Sequence, residues 1–523
     1  MGRPAPTTAA LAGLYDDTSL AWLERALPPP GSGVAGPSPA TGGQRGEAAI
    51  IAYADSLVDA RGEASPLAIA HEFARHLSLP RDFTALHLLP IHPWDTDRGF
   101  SVVNYREVNP NYGDWSHIAR LAGDFDLMLD FVANHASIAN PIAQASLIAR
   151  HVGLPLPDEA AGVLAFEEDA APTAEDLRRL ARPRATSPLT AYNVHRLGKG
   201  APRAVLGPAP QDAKALGSGL VWTTFSRPRC PEGSETTRQV DLDYQRPGTL
   251  LEAVHILLSY ADRGAALIRL DAVGYLWKKL GSTSLHEPET HRLVRFMCDA
   301  LRRLRPGVRT IAEVNEPQQS VLPYLGTREA PEADLVYQFT HFPLALHALL
   351  TGDSRWYRDW LKTLEPFGGR QLVTALGSHD GLGLKPLRGH LPEEETKRLV
   401  EALVEDRGGL PNYAQLPGGE RIIYEVCGTA WTLAHEDSGE EELQRQVDRY
   451  LAVVAMSLLP RGIPAFYLHA LVAADNHHPA GGLDENRSVN RASFDAAELG
   501  LRLQQPESRA RLVLHGIRRL LRA

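Results

Sequence analysis

The chain has 523 residues, 44% of them hydrophobic and 22% charged, with a formal net charge of −9. That length fits one large barrel with insertions, or two to four smaller domains, and the composition is that of a chain with a sizeable core. The acidic surplus argues against nucleic acid or an anionic membrane surface as the main partner, since both need a basic face.

The first 46 residues hold a short helical stretch around Leu20–Leu27 and then a Pro/Gly-rich linker, PPPGSGVAGPSPATGGQRG. The start lacks a sustained apolar core behind a basic end, so no secretory signal is expected. No run approaches the roughly 18 apolar residues of a membrane span. Cys230, Cys298 and Cys427 are odd in number, far apart and without a CxxC pair, which suggests neither a disulfide framework nor a zinc site. A cytoplasmic location is the expectation.

Eight β-rich segments follow: AIIAYADSLV, TALHLLPI, DLMLDFVANH, AALIRLDAV, RTIAEVN, DLVYQF, QLVTALGSHD and IPAFYLHAL. Helical patterns separate several of them, as in ETHRLVRFMCDALRRL, where Leu293, Phe296, Met297 and Ala300 fall on one face. Eight such strands predict an α/β fold, a (β/α)8 TIM barrel rather than an open sheet. The text between Ala136 and about Arg246 is too long for a βα loop and predicts a subdomain inserted after strand 3. The expected organisation is a helix and linker over 1–46, the first part of a catalytic barrel over 47–135, the insertion over 136–246, and the rest of the barrel over 247–523.

Barrel enzymes place reactive groups at the C-terminal ends of strands. Four segments here end in polar clusters: Asp130, Asn134 and His135; Arg269 and Asp271; Glu313; His379 and Asp380. A carboxylate inside ALIRLDAV is expensive to bury without a partner, and Arg269, two residues from Asp271, shares its face of the strand. Neighbouring strands lie about 4.8 Å apart, and retaining glycosidases need carboxyls about 5–5.5 Å apart. Asp271 is therefore the expected nucleophile and Glu313 the general acid/base. His379, Asp380 and His135 are expected to hydrogen-bond sugar hydroxyls.

At these residues the chain resembles the α-amylase superfamily of glycoside hydrolases, over about Ala49 to Arg491. The resemblance implies Asp271 as nucleophile, Glu313 as acid/base, Asp380 as transition-state stabiliser, and Arg269, His135 and His379 as sugar-binding residues. Within that superfamily, HLLPIHPWDTDRGFSVVNYREVNPNYGDW, RLDAVGYLWKKLGSTS, SHDGLGLKPLRG and ENRSVNR resemble the sucrose phosphorylase subfamily. VWTTFS, QVDLDY and LHEPETH look closer to glucosylglycerate phosphorylases. This implies reversible phosphorolysis of a small α-glucoside, with Asp97, Phe100 and Arg487 holding the glucosyl ring and inorganic phosphate as co-substrate. Arg182 and Arg184, in an element similar to the subfamily's RPR, are candidates for phosphate, with an exposed basic turn as the alternative. Lys278, His286 and Arg388 are candidates to meet an acceptor carboxylate.

The chain ends at HGIRRLLRA, a helical pattern, where the subfamily usually continues into a β domain. The expectation is a missing C-terminal β domain: either the chain is truncated, or the last helix faces solvent or a partner with Leu512, Leu514, Ile517 and Leu520 exposed. The segment SRPRCPEGSETTR is longer than the subfamily's usual link. No nucleotide motif is present, no required metal is expected, and His477-His478 reads as a solvated or substrate-lining loop. A hydrolase or transglucosidase using the same residues, and an inactive sugar-binding barrel, stay open, as does the oligomeric state.

Overall fold

The computed structural model describes residues 7–29, 47–183, 187–225, 238–364, 372–415, 421–435, 441–483 and 485–523. Eight parallel strands close into a barrel in sequence order: β1 (Ala49–Ala52), β2 (Ala85–Leu88), β3 (Asp126–Val132), β4 (Ala265–Asp271), β5 (Arg309–Ala312), β6 (Leu335–Gln338), β7 (Leu372–Leu376) and β8 (Ile463–Tyr467). Each lies in one of the eight segments read from the sequence. Apart from Arg309 at the rim, every residue of these strands is buried. A parallel strand covered on both faces is buried throughout, so such strands read as near-continuous apolar runs rather than alternating ones.

Helices alternate with the strands: α1 (Pro66–His76), α2 (Trp115–Asp124), α3 (Pro247–Asp262), α4 (Pro288–Leu304), α5 (Gln318–Val321), α6 (His341–Thr351), α7 (Leu443–Ser457) and α8 (Arg509–Arg522). The stripe Leu293, Phe296, Met297 and Ala300 on α4 is buried, as its 3.6-residue spacing predicts. Proline opens α1, α3 and α4, where its missing N–H leaves no intrahelical bond unmade. The side chain of Asp114 accepts from the amides of Ser116 and His117 and so caps α2.

Two excursions rise from the strand ends. After β3 come a helix, Pro141–Val152, and an antiparallel sheet of four strands, Ala165–Phe166, Lys214–Trp222, Leu189–Arg196 and Arg203–Leu206. The strand Gln239–Asp241 pairs with His135–Ser137 and returns the chain to the barrel. Gly248, at the start of α3, lies so close to this excursion that a Cβ there would sit 2.2 Å from the Glu159 carbonyl oxygen. The second excursion, between β7 and β8, was not expected from the sequence. It holds the helix Glu393–Glu405 and a sheet of Leu382–Gly383, Arg421–Cys427 and Leu410–Gln415.

Both termini of the described chain pack onto the barrel. Tyr15, just before the helix Asp17–Ala26, donates from its hydroxyl to the Tyr244 carbonyl at 2.7 Å, and Leu23 is fully buried. The linker residues 30–46 lie outside the described residues. At the other end the expected exposed apolar face is corrected. Leu514 and Ile517 are buried, Leu512 and Leu520 are partly buried against the core, and α8 packs on α7. Arg518 and Arg522 both pair with Asp82, which fixes the helix in register with the loop before β2. An amphipathic helix of this length buries its apolar stripe wherever a barrel groove offers one.

The contact between α6 and α7 supplies a test. His341 is fully buried; its ring bonds the Ser457 hydroxyl at 2.8 Å and the Tyr357 hydroxyl at 3.2 Å. Burial lowers its pKa from 6.5 to about 3. The unfolded chain takes up a proton near pH 6.5 that the folded chain refuses, so this contribution to stability is lost as pH falls through that window. His341→Gln is expected to flatten the pH dependence of urea unfolding from about pH 6.5 downward, the difference approaching one proton, ~1.4 kcal/mol per pH unit, between about pH 5.5 and 4. An unchanged slope would contradict the assignment.

Candidate active site

The site is built from a register. β3 and β4 pair so that Asp130 lies opposite Arg269, and β4 pairs with β5 so that Leu270 lies opposite Ala312, one residue before Glu313. The Arg269 guanidinium, 4% exposed, contacts Asp130, lies 2.8 Å from Asp271 and reaches to 3.6 Å of Glu313. Asp130 also accepts from His87 at 2.9 Å, and the His87 ring is braced by the Tyr337 hydroxyl at 3.2 Å. Burial acts to raise the Asp130 carboxyl, but Arg269 and His87 outweigh it and hold the group at about 2.

Asp271 and Glu313 behave as a pair. Burial pushes the Asp271 carboxyl well above the ordinary carboxylate range, with Arg269 opposing and Glu313 and Asp130 reinforcing. Burial raises Glu313 as well, against Arg269 and the Ala272 amide, which donates to it at 3.0 Å. Ala272 has φ 53°, a left-handed conformation that aims this amide back at the carboxyl. Three carboxylates around one guanidinium leave excess negative charge, which acts with burial to raise both Asp271 and Glu313.

A second charge cluster stands opposite, beyond β7. Arg487 grips Glu425 with two bonds of 2.8 and 2.6 Å and meets Asp380 at 2.5 Å. Arg491 donates to the His379 carbonyl at 2.7 Å and lies 3.3 Å from Asp380, 3.7 Å from Asp97 and 2.9 Å from Glu485. Asn490 donates to the carbonyls of Ser378 and Asp380. Burial acts to raise Asp380, yet Arg487 and Arg491 together hold it below the usual range. Burial lowers His379 to about 3, so its ring is neutral.

The loop after β2 completes the walls. Asp97, Arg98 and Gly99 take φ of 55°, 47° and 110° in succession, a conformation costing about 1–3 kcal/mol per non-glycine residue. Arg98 holds it by bonding Asp55 at 3.1 Å and the Arg491 carbonyl, and by lying over the Tyr53 ring. The loop delivers Asp97, which accepts from Gln239 at 3.2 Å, and Phe100, whose ring stacks on His379 with centroids 4.9 Å apart. His135 donates from Nε2 to the Phe100 carbonyl at 2.9 Å.

These groups enclose a cavity of about 140 Å³. Asp97, Phe100, His135, Asp271, Glu313, His379, Asp380 and Arg487 line it, and Arg269 lies beneath. Arg182 lines an adjoining groove instead, with Arg388, while Arg184 and residues 226–237 lie outside the described residues. Lys278 does not face the cavity: its buried ammonium is committed to Asp241 at 2.8 Å and Asn134 at 2.7 Å. His286 also stands outside the lining, bonded to the Tyr324 hydroxyl at 3.0 Å. Sequence reasoning missed Glu425, Arg491, Gln239 and Lys385. For Glu425 a signal was available, a lone carboxylate inside the apolar run RIIYEVC, of the kind that marked Asp271.

A closed (β/α)8 barrel with carboxylates at the ends of its fourth and fifth strands and after its seventh defines a glycosyl-transferring enzyme of the α-amylase superfamily. The chain is 36% identical over 478 residues to glucosylglycerate phosphorylase of Spirochaeta thermophila, covering 90% of this chain and 72% of that protein. It is 35% identical over 480 residues to the enzyme of the same name from Allomeiothermus silvanus, covering 91% and 78%. The chain therefore belongs to the glucosylglycerate phosphorylase family. Its fold matches the crystal structure of sucrose 6F-phosphate phosphorylase from Thermoanaerobacter thermosaccharolyticum, with a TM-score of 0.72 at 23% identity over 92% of this chain and 87% of that one. No protein-family model matches the chain.

Removing Arg269 takes the shared cation from three buried carboxylates and, among the described residues, leaves Asp130 only His87 and Glu313 only the Ala272 amide. Arg269→Met is expected to destabilise the protein by about 3–5 kcal/mol, read as a lower urea midpoint, with partial recovery in Arg269→Met/Asp130→Asn. Wild-type stability in the single variant would contradict the charge arrangement.

Proposed function

We propose that the protein is a retaining phosphorylase that moves the glucosyl group of a small α-glucoside, glucosylglycerate before sucrose or glucosylglycerol, onto phosphate to give α-glucose 1-phosphate. The observation that carries this reading is the buried Asp271–Glu313 pair around Arg269, a nucleophile and a proton source in one cavity. Burial raises Asp271 more than Glu313, but the direct 2.8 Å contact with the guanidinium favours the negative charge on Asp271, and Glu313, 3.6 Å away, holds the proton.

In the first step an Asp271 oxygen attacks the anomeric carbon from one face. The glycosidic C–O bond breaks, and Glu313 gives its proton to the leaving oxygen. In the second step a phosphate oxygen attacks the same carbon, the ester to Asp271 breaks, and Glu313 takes up the phosphate proton. Two inversions give net retention. Asp380, kept ionised by its arginine neighbours, accepts hydrogen bonds from ring hydroxyls and strengthens as the ring gains positive charge. Asp97, His135, His379 and Arg487 hold the remaining hydroxyls, and the Phe100–His379 stack presents a flat apolar wall to the sugar. Arg182 and Arg184 are the proposed phosphate cations; the position of Arg182 in the adjoining groove supports that part.

The test is incubation with glucosylglycerate, sucrose and glucosylglycerol, with and without phosphate, followed by assay of glucose 1-phosphate. Phosphate-dependent release, lowered about 10⁴-fold or more in Asp271→Ala, is expected. Free glucose formed at the same rate without phosphate would replace this reading with a hydrolase.

A further inference from the structure

The two small molecules exchanged at the glucosyl-enzyme in the proposed reaction, a departing glycerate-type acid and the incoming phosphate, are both anions, yet the catalytic cavity is strongly acidic. Asp97, Asp271, Glu313, Glu316, Asp380 and Glu425 all line it. Among the described residues its only lining cations are Arg487 and Lys385. Arg487 is fully engaged by Glu425 and Asp380. Lys385 is placed differently: among the described residues its ammonium makes one hydrogen bond, to Glu316, and its side chain is 32% exposed. An ammonium has three N–H donors, so two remain for a ligand.

Lys385 also stands where the cavity opens outward. With Pro183 and Tyr424 it lines both the cavity and a groove of about 1060 Å³. The other charged residues of that groove are Arg178, Arg182, Arg388 and a single acid, Glu393. A basic groove leading to an acidic cavity concentrates anions at the junction.

A third observation lies beside the lysine. Asn315, two residues after Glu313, lines the cavity, and its buried Oδ1 has no hydrogen-bond partner. A Cβ on Gly383 would lie 2.7 Å from that oxygen, so glycine there lets Asn315 lie against the segment that carries Lys385. An unpaired buried carbonyl oxygen calls for a donor. A carboxylate cannot supply one; an adjacent hydroxyl can.

We infer that Lys385 is the specificity-determining residue for the leaving group. Its ammonium holds the carboxylate of a small hydroxy acid at the mouth of the cavity, while Asn315 Oδ1 accepts from that acid's hydroxyl. The inference rests on the phosphorylase reading above and adds to it the residue that favours an anionic acceptor over a neutral one. Glu316 positions the lysine, and the basic groove is the entry path.

The test compares kcat/KM for glucosylglycerate with that for neutral glucosylglycerol in the wild type, Lys385→Met and Lys385→Arg. Lys385→Met is expected to lower the preference for glucosylglycerate on the order of 10- to 100-fold, and Lys385→Arg to retain most of it. A ratio does not move when a variant merely loses folded protein. A wild-type preference that survives Lys385→Met, or a wild type without preference, would overturn the assignment alone. A wild type that releases glucose 1-phosphate from neither glucoside would overturn the phosphorylase reading and the assignment with it.

Discussion

One guanidinium holds this site together. Arg269 is almost wholly buried and faces Asp130, Asp271 and Glu313, which come from β3, β4 and the end of β5. Charges taken out of water are tolerable only when paired, so the register of these strands is set by the need to bring the groups together. A slip of one residue in β4 would turn Arg269 and Asp271 outward and strand Asp130 in the core. The constraint that fixes the fold locally is therefore the one that gathers Asp271 and Glu313 around a single cation.

The opposite wall uses the same physics with the ratio reversed. Two arginines, Arg487 and Arg491, surround Asp380 and keep it ionised, and Glu425 anchors Arg487 from the excursion beyond β7. On one side of the cavity burial outweighs the neighbouring cation and raises the carboxyls; on the other the cations outweigh burial. Between them, the strained loop at Asp97–Gly99 is held by Arg98 and by the Phe100–His379 stack. Strain of that kind survives only where surrounding contacts over-determine the backbone, and here they come from Tyr53 and Asp55 after β1, His379 after β7 and Arg491 just past the 3-10 turn Asn486–Asn490.

Much of this was legible in the sequence because it is local. Each barrel strand is a short apolar run, and Asp271, Glu313, Asp380 and their neighbours stand out as charges at the ends of such runs. Arg491 was hidden because its partners, Asp97 and the 379–380 pair, lie far away in sequence and are met only through the fold. Lys278 misled for the opposite reason: next to a strand end it reads as a ligand for a substrate carboxylate, whereas Asp241, returning from the first excursion, already neutralises it. The apolar face of α8 could not be placed from periodicity alone, which states that a stripe exists but not what covers it. The 382–427 excursion lacked strong strand signals apart from RIIYEVC, and with it went Glu425 and the junction at Lys385.

The central claim is that Asp271 carries the charge and Glu313 the proton. Incubating Glu313→Gln with α-glucosyl fluoride, whose leaving group needs no protonation, tests it most directly, with intact and peptide mass spectrometry as the readout. The account predicts a mass increase of one glucosyl group, located on the peptide that contains Asp271, because the ester forms but its release lacks the base. A glucosyl group on another residue, or continued turnover with no adduct, would contradict it.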